Sequence, residues 1–176
     1  MLLYSPTAAT ITKDADMKLY HYTSTLHVPF IRNTGDLRYG DIPLRESPNY
    51  GESGHAVWLT TQDHAINGEH GLNSPIGDKT EVRFTIDIPE DDPRLFKWSE
   101  YAKLNHIKKS WYATLDEIGG GLSNTWWLFV RPIPIDGLEV AIKKNNQYVP
   151  IGIDEITAPS NAQNTMHTHL GVLVPV

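Results

Sequence analysis

Residues 18–37 read KLYHYTSTLHVPFIRNTGDL, and the change of character inside this stretch decides the fold. Lys18 to Thr23 has the β-branched and aromatic content of a strand, yet it ends in His21, Tyr22 and Thr23. A strand that only filled a core would carry Val or Ile there. Ser24 is a helix-capping residue type, Leu26, Phe30 and Ile31 share one face of a helix over 25–33, and Gly35 supplies its stop. The stretch therefore predicts strand, helix and turn, with polar side chains where the strand ends.

Working outward, residues 41–54 hold Pro43, Pro48, Gly51 and Gly54 without an apolar period and read as a long loop. Ala56 to Thr61 is a short β-prone run, and Gln62 to Lys79 returns to loop chemistry. A strand between two long loops is a common setting for function. Glu81 to Ile88 alternates Val82, Phe84, Ile86 and Ile88 with polar residues, the period of a half-buried strand. Asp92 and Pro93 suit the start of a helix carrying Leu95, Phe96, Trp98, Tyr101, Ala102 and Leu104, and a second short helix is expected over 107–115. Gly119, Gly120 and Gly121 break the chain again. Strands are expected at 126–131, ended by Pro132 and Pro134, at 138–142, and at 147–151 after a turn at 144–146, with an edge strand or tail at 170–176. The sum is one α+β domain with two or three helices: an arm at 1–16, a core at 17–142, and a C-terminal hairpin and tail at 143–176.

Composition narrows the function classes. The 176-residue chain is 40% hydrophobic, with five Trp, eight Tyr and four Phe, ample for one core. Its net charge of −6 arises without an acidic block and argues against strong non-specific binding to nucleic acid. The absence of cysteine excludes disulfides, thiolate zinc sites and a cysteine nucleophile. Tyr4, Ser5, Pro6 and Thr7 interrupt any signal-like apolar run, and no stretch approaches the roughly 20 apolar residues of a membrane helix. The expectation is a cytoplasmic chain with no membrane partner. No G-x-x-x-x-G-K-[ST], G-x-G-x-x-G or G-x-S-x-G string is present.

The string LYHYTS, a helix ending in IRNTGDLR, a loop and then VWLTT resembles the first two motifs of the ADP-ribosyltransferase superfamily, and VRFTIDI and WWLFVRPIPIDGLEV fall where such domains place later core strands. The likeness spans about residues 17–142. It implies a split, bent antiparallel β-core around a cleft for NAD, which is consumed as a substrate while ADP-ribose passes to a protein, nucleic-acid or small-molecule acceptor. By the same resemblance His21 bonds the adenosine ribose with Tyr22 and Thr23 beside it, Trp58 offers a ring to nicotinamide, and Thr60 follows on the same strand face. A neutral imidazole, with one donor and one acceptor, suits a ribose diol. Arg38, Arg45, Arg83 and Arg131 are candidate partners for the pyrophosphate, with Arg83 on the polar face of its strand.

The third motif departs from the family pattern. A glutamate is expected near the start of WWLFV, to oppose the oxocarbenium charge of the transition state, and the chain reads Ser123-Asn124-Thr125 there. Three readings stay open: Glu117 reaches in from the glycine-rich loop, Asn124 or Thr125 takes the position, or catalysis is lost. In the last case the chain is a scaffold that binds NAD, a nucleotide or a protein partner, with Trp111, Tyr112, Trp126 and Trp127 as a possible contact patch. Each of these side chains, His21 and Trp58 included, also has an ordinary role available in a core. Eight histidines invite a metal reading, but His64/His70 and His167/His169 lack the helical i, i+4 spacing of a zinc pair. His21-Tyr22-Thr23 also matches the H-x-T element of two-histidine phosphoesterases, for which the chain has no second copy.

Overall fold

A computed structural model describes residues 16–38, 40–43, 53–66, 68–72 and 77–158. The arm at 1–15, the C-terminal tail with its His167 and His169, and Arg45 lie outside these residues. The strands are β1 (Asp16–Thr23), β2 (Asp36–Leu37), β3 (Gly40–Pro43), β4 (Ser53–Thr60), β5 (Val82–Pro89), β6 (Leu95–Lys97), β7 (Trp126–Phe129), β8 (Ile133–Pro134), β9 (Glu139–Lys144) and β10 (Gln147–Pro150). The helices are α1 (Val28–Thr34), α2 (Trp98–Leu104) and α3 (Lys109–Ile118). The architecture is α+β. A seven-strand antiparallel sheet runs β10-β9-β5-β1-β4-β7-β6, β3 adds to β4, and β2 pairs with β8 apart from it.

Two strands of this sheet barely touch. β1 pairs with β5 along its whole length, from Asp16–Pro89 to Thr23–Val82, and β4 pairs with β7 from Val57–Phe129 to Thr60–Trp126. Between β1 and β4 the register holds at Tyr20–Thr60 alone. The sheet is thus two well-paired halves joined at one point.

Period-2 alternation sorts the apolar side chains to two faces. Leu19, Val57, Leu59, Val82, Phe84, Ile86 and Ile88 form one core, closed by Val28 and Ile31 of α1 and by Ile156. On the other face Ala56, Trp126 and Leu128 pack against Trp98 and Ala102 of α2, with Trp58, Tyr112 and Leu115 at the edge. Trp98 is fully buried, and its ring stacks on Tyr112 with centroids 5.7 Å apart and planes 4° from parallel.

The differences from the sequence reading have physical causes. Leu95 and Phe96 were expected in a helix begun at Asp92, but they pair with Phe129 and Leu128 as β6, and the helix starts at Trp98. Asp92 instead closes a tight turn, accepting from the Arg94 backbone N–H at 2.8 Å and from its guanidinium. The loop expected over 41–54 contains β3 and the start of β4. Helix α1 begins at Val28, three residues later than expected, because Thr25–His27 form a turn stitched to Glu81, whose Oε2 accepts from the Thr25 N–H at 2.9 Å and its hydroxyl at 2.8 Å. The turn between β9 and β10 is a two-residue hairpin, with Asn145 and Asn146 at φ 50° and 60°, as a tight twisted hairpin requires. The four candidate patch residues are not exposed: Trp126 is buried and Trp111, Tyr112 and Trp127 are half-buried.

Trp98 should carry much of the second core. Trp98→Ala is expected to lower unfolding free energy by about 3–5 kcal/mol in urea titrations. Trp98→Phe keeps a ring against Tyr112 and gives up an indole N–H with no acceptor among the described residues, so its cost is expected to be about half. Equal losses for the two variants would contradict this packing.

Candidate functional site

A cleft of about 630 Å3 opens where β1 and β4 part. Consecutive strand residues point to opposite faces, so Tyr20 and Tyr22 should share a surface with Trp58 and Thr60, and His21 and Thr23 with Leu59. All seven line the same cleft. That is possible only because the strands separate and the cleft runs through the gap. Phe30 and Ile31 of α1, Leu115 and Ile118 of α3, the His70–Leu72 loop, Lys79 and Arg38 complete the walls.

His21 spans the gap. Its Nδ1 lies 2.9 Å from the backbone oxygen of Trp58. A carbonyl only accepts, so Nδ1 carries the proton and Nε2 is the bare nitrogen left for a ligand. Burial, partly offset by this bond, lowers the pKa of the ring and keeps it neutral. The expectation of one donor and one acceptor for a ribose therefore needs correction: the donor is committed to Trp58, and the acceptor remains.

The neighbouring site residues are more structural. Tyr22 is buried, donates to the Gln62 carbonyl at 2.8 Å, and has its pKa raised by burial. Thr23 Oγ1 lies 3.2 Å from His27 Nδ1. Thr60 belongs to a one-way chain of hydroxyls. Thr125 Oγ1 donates to the Leu122 carbonyl at 2.8 Å, so it accepts from Thr60 at 2.9 Å, and Thr60 accepts from the Gln62 N–H at 3.2 Å. Trp58 is half-buried, tilted 50° against Trp98 at 5.1 Å and edge-on to Trp126 at 5.7 Å. Its ring reaches the cleft with much of its surface already in contact.

Several of the sequence candidates stand elsewhere. Arg83 is held between the rings of Tyr20 and Tyr148, at 5.0 and 4.6 Å from their centroids, and donates to the Asp63 carbonyl. Glu117 is exposed near the end of α3, and Asn124 is exposed in the 3-10 turn before β7; none of the three lines the cleft. Arg131 is also exposed and apart from it.

His70 enters the sequence reading only as one of a histidine pair with the wrong spacing for zinc. The residue adopts φ 54°, its backbone N–H bonds the Gly119 carbonyl at 3.2 Å, and its Nδ1 accepts from Trp126 Nε1 at 3.0 Å. The proton must then sit on Nε2, which is buried without a partner among the described residues. The signal available in the sequence was only a glycine-flanked histidine. Gly119 matters through close approach, since a Cβ there would stand 2.3 Å from Trp126 Cζ2.

The charge pattern is one-sided. Among the described residues no Asp or Glu lines the cleft, while Arg38, Lys79 and three histidines do, in a chain of net charge −6. Such walls suit an anion or a neutral polar group and disfavour a cation. Among the described residues no three His, Asp or Glu side chains gather as a metal site, and no helix is long and apolar enough to cross a membrane. Comparison with known proteins finds no matching protein family, no similar curated protein and no matching solved structure.

The three cleft histidines predict how stability depends on pH. Burial is the first cause of the lowered pKa of His21, His27 and His70, so the folded chain binds fewer protons than the unfolded one below the ordinary value of 6.5. Stability should be level above about pH 7 and fall as pH drops from 6.5 toward the lowered values. Urea midpoints between pH 8 and 5 measure this. His21→Gln should make the fall shallower, and a midpoint that rises on acidification would contradict the assignment.

Proposed function

We propose that the cleft between β1 and β4 is a site for NAD and that the chain is an ADP-ribosyltransferase-like protein. The observation that carries this reading is the meeting of two segments 37 residues apart, His21 and Trp58, at the parted strands. The sequence resemblance singled out these two segments, and their side chains share one cleft with Tyr22, Thr23 and Thr60. In this reading the bare Nε2 of His21 accepts from a ribose hydroxyl. Trp58 and Trp126 give the nicotinamide ring an apolar wall, and the pyrophosphate lies toward Arg38 and Lys79.

Binding is better supported than turnover. Breaking the nicotinamide bond leaves positive charge on the ribose, and a fixed carboxylate beside it is worth several kcal/mol, roughly the 2.7–4 kcal/mol seen for one preorganised charge-stabilising group. The described lining has no such group, and Asn124 adds no charge. The first reading is thus an NAD-binding scaffold with slow or absent chemistry. ADP-ribosyl transfer to an unknown acceptor is the second, favoured by one feature: Glu117 adjoins Ile118, which lines the cleft.

Calorimetry with NAD, together with chromatography for free nicotinamide, separates these readings. NAD is expected to bind, and His21→Ala and Trp58→Ala each to weaken it about fivefold to thirtyfold, equivalent to 1–2 kcal/mol. Nicotinamide release that Glu117→Gln abolishes would put transfer first. Absence of binding at millimolar NAD would overturn the assignment.

A further inference from the structure

The end of the cleft beside α1 holds a cluster whose chemistry is more specific than a general affinity for nucleotides. His27, Lys79 and Arg38 line the cleft together, and neither cation has a hydrogen-bond or ion-pair partner among the described residues. His27 is fixed from behind, with Nδ1 3.2 Å from Thr23 Oγ1 and 3.3 Å from Ser24 Oγ. Its Nε2 is the nitrogen left for a ligand. Lys79 is delivered beside it by a tethered segment. Glu81 grips Thr25 through two hydrogen bonds, and Gly77 approaches so closely that a Cβ would stand 3.1 Å from Leu26 Cδ1. An array of cations with no acid among the described residues of the same cleft is poised for an anion with more than one charge.

The geometry points to a proton-linked phosphate subsite in which His27, Lys79 and Arg38 receive a pyrophosphate or sulfate-like dianion, and His27 takes up a proton as the anion binds. The nucleotide reading enters only in saying what lies beyond the phosphate. In the free protein, burial first and Lys79 second hold the His27 ring neutral. The charged and titratable groups around it are His21 on β1, Lys79 and Glu81 of the 77–81 segment, and Arg38 after β2; the Glu81 carboxylate is turned to Thr25. A dianion set between His27 and Lys79 replaces repulsion with attraction and favours the imidazolium. Affinity therefore rises as pH falls, and levels once His27 is protonated in the free protein as well.

ADP-ribose and inorganic sulfate keep constant charge between about pH 8 and 6, so proton uptake on binding belongs to the protein. Calorimetry of the full chain with ADP-ribose, in two buffers of different ionisation enthalpy, should show net proton uptake and affinity about threefold to tenfold tighter at pH 6.5 than at pH 8. His27→Gln should remove the uptake, and Lys79→Gln should weaken binding about threefold to tenfold. Sulfate should raise the pH at which the His27 ring titrates by NMR. A pH-independent affinity, or uptake unchanged in His27→Gln, would overturn the subsite. If His27→Gln fails to fold, Lys79→Gln, which removes no hydrogen bond among the described residues, carries the test: wild-type affinity overturns the proposal and weakened affinity supports it. Sulfate acting on His27 in a chain that binds no NAD would keep the subsite and reject the NAD site. NAD binding without proton uptake would do the reverse.

Discussion

The hydrogen bond from His21 Nδ1–H to the Trp58 carbonyl is the interaction on which the site depends. In an ordinary sheet β1 and β4 would be joined by backbone bonds along their length. Here the register leaves them one pair, Tyr20–Thr60, and a side chain supplies a cross-link that the backbone does not. A carbonyl left bare in so buried a place would cost about 1–3 kcal/mol. The same bond selects the ring's tautomer, turns the free nitrogen to the cleft, and ties the position of Trp58 to that of His21.

Parting the strands also solves a problem of alternation. A flat sheet could offer a ligand only every second residue of β1, whereas the gap shows Tyr20, His21, Tyr22 and Thr23 to one volume. Lost strand pairing is offset by α1 and α3 closing the sides and by the tryptophan cluster below. The described walls, which carry no Asp or Glu, then set what the cleft can hold. In a chain of net charge −6, Arg38 and Lys79 make this a local exception that favours anionic ligands.

Much of the fold was legible because it rests on local pattern. Val82, Phe84, Ile86 and Ile88 announce β5 by period, Gly35 ends α1 at φ 73°, and Asn145-Asn146 marks a hairpin. The pairing of Leu95 and Phe96 with β7 was not legible, since Asp-Pro is a sound helix start and only long-range partners overrule it. The site divides in the same way. His21, Trp58 and Thr60 carried a recognisable order along the chain, and Arg38 was one guanidinium among several. His27, His70 and Lys79 reach the cleft through loop closures, such as the Glu81–Thr25 and Trp126–His70 bonds, that leave no periodic trace. Arg83 looked like a ligand residue from its polar strand face, and the rings of Tyr20 and Tyr148 claim it instead.

The most direct test is a long-range 1H–15N NMR spectrum of the His21 ring near neutral pH, taken without and then with NAD. The account predicts the Nδ1–H tautomer in the free protein and a change at Nε2, with Nδ1 little altered, when NAD is added. An Nε2–H tautomer would break the link between the parted strands, and an Nε2 signal unmoved by saturating NAD would remove His21 from the site.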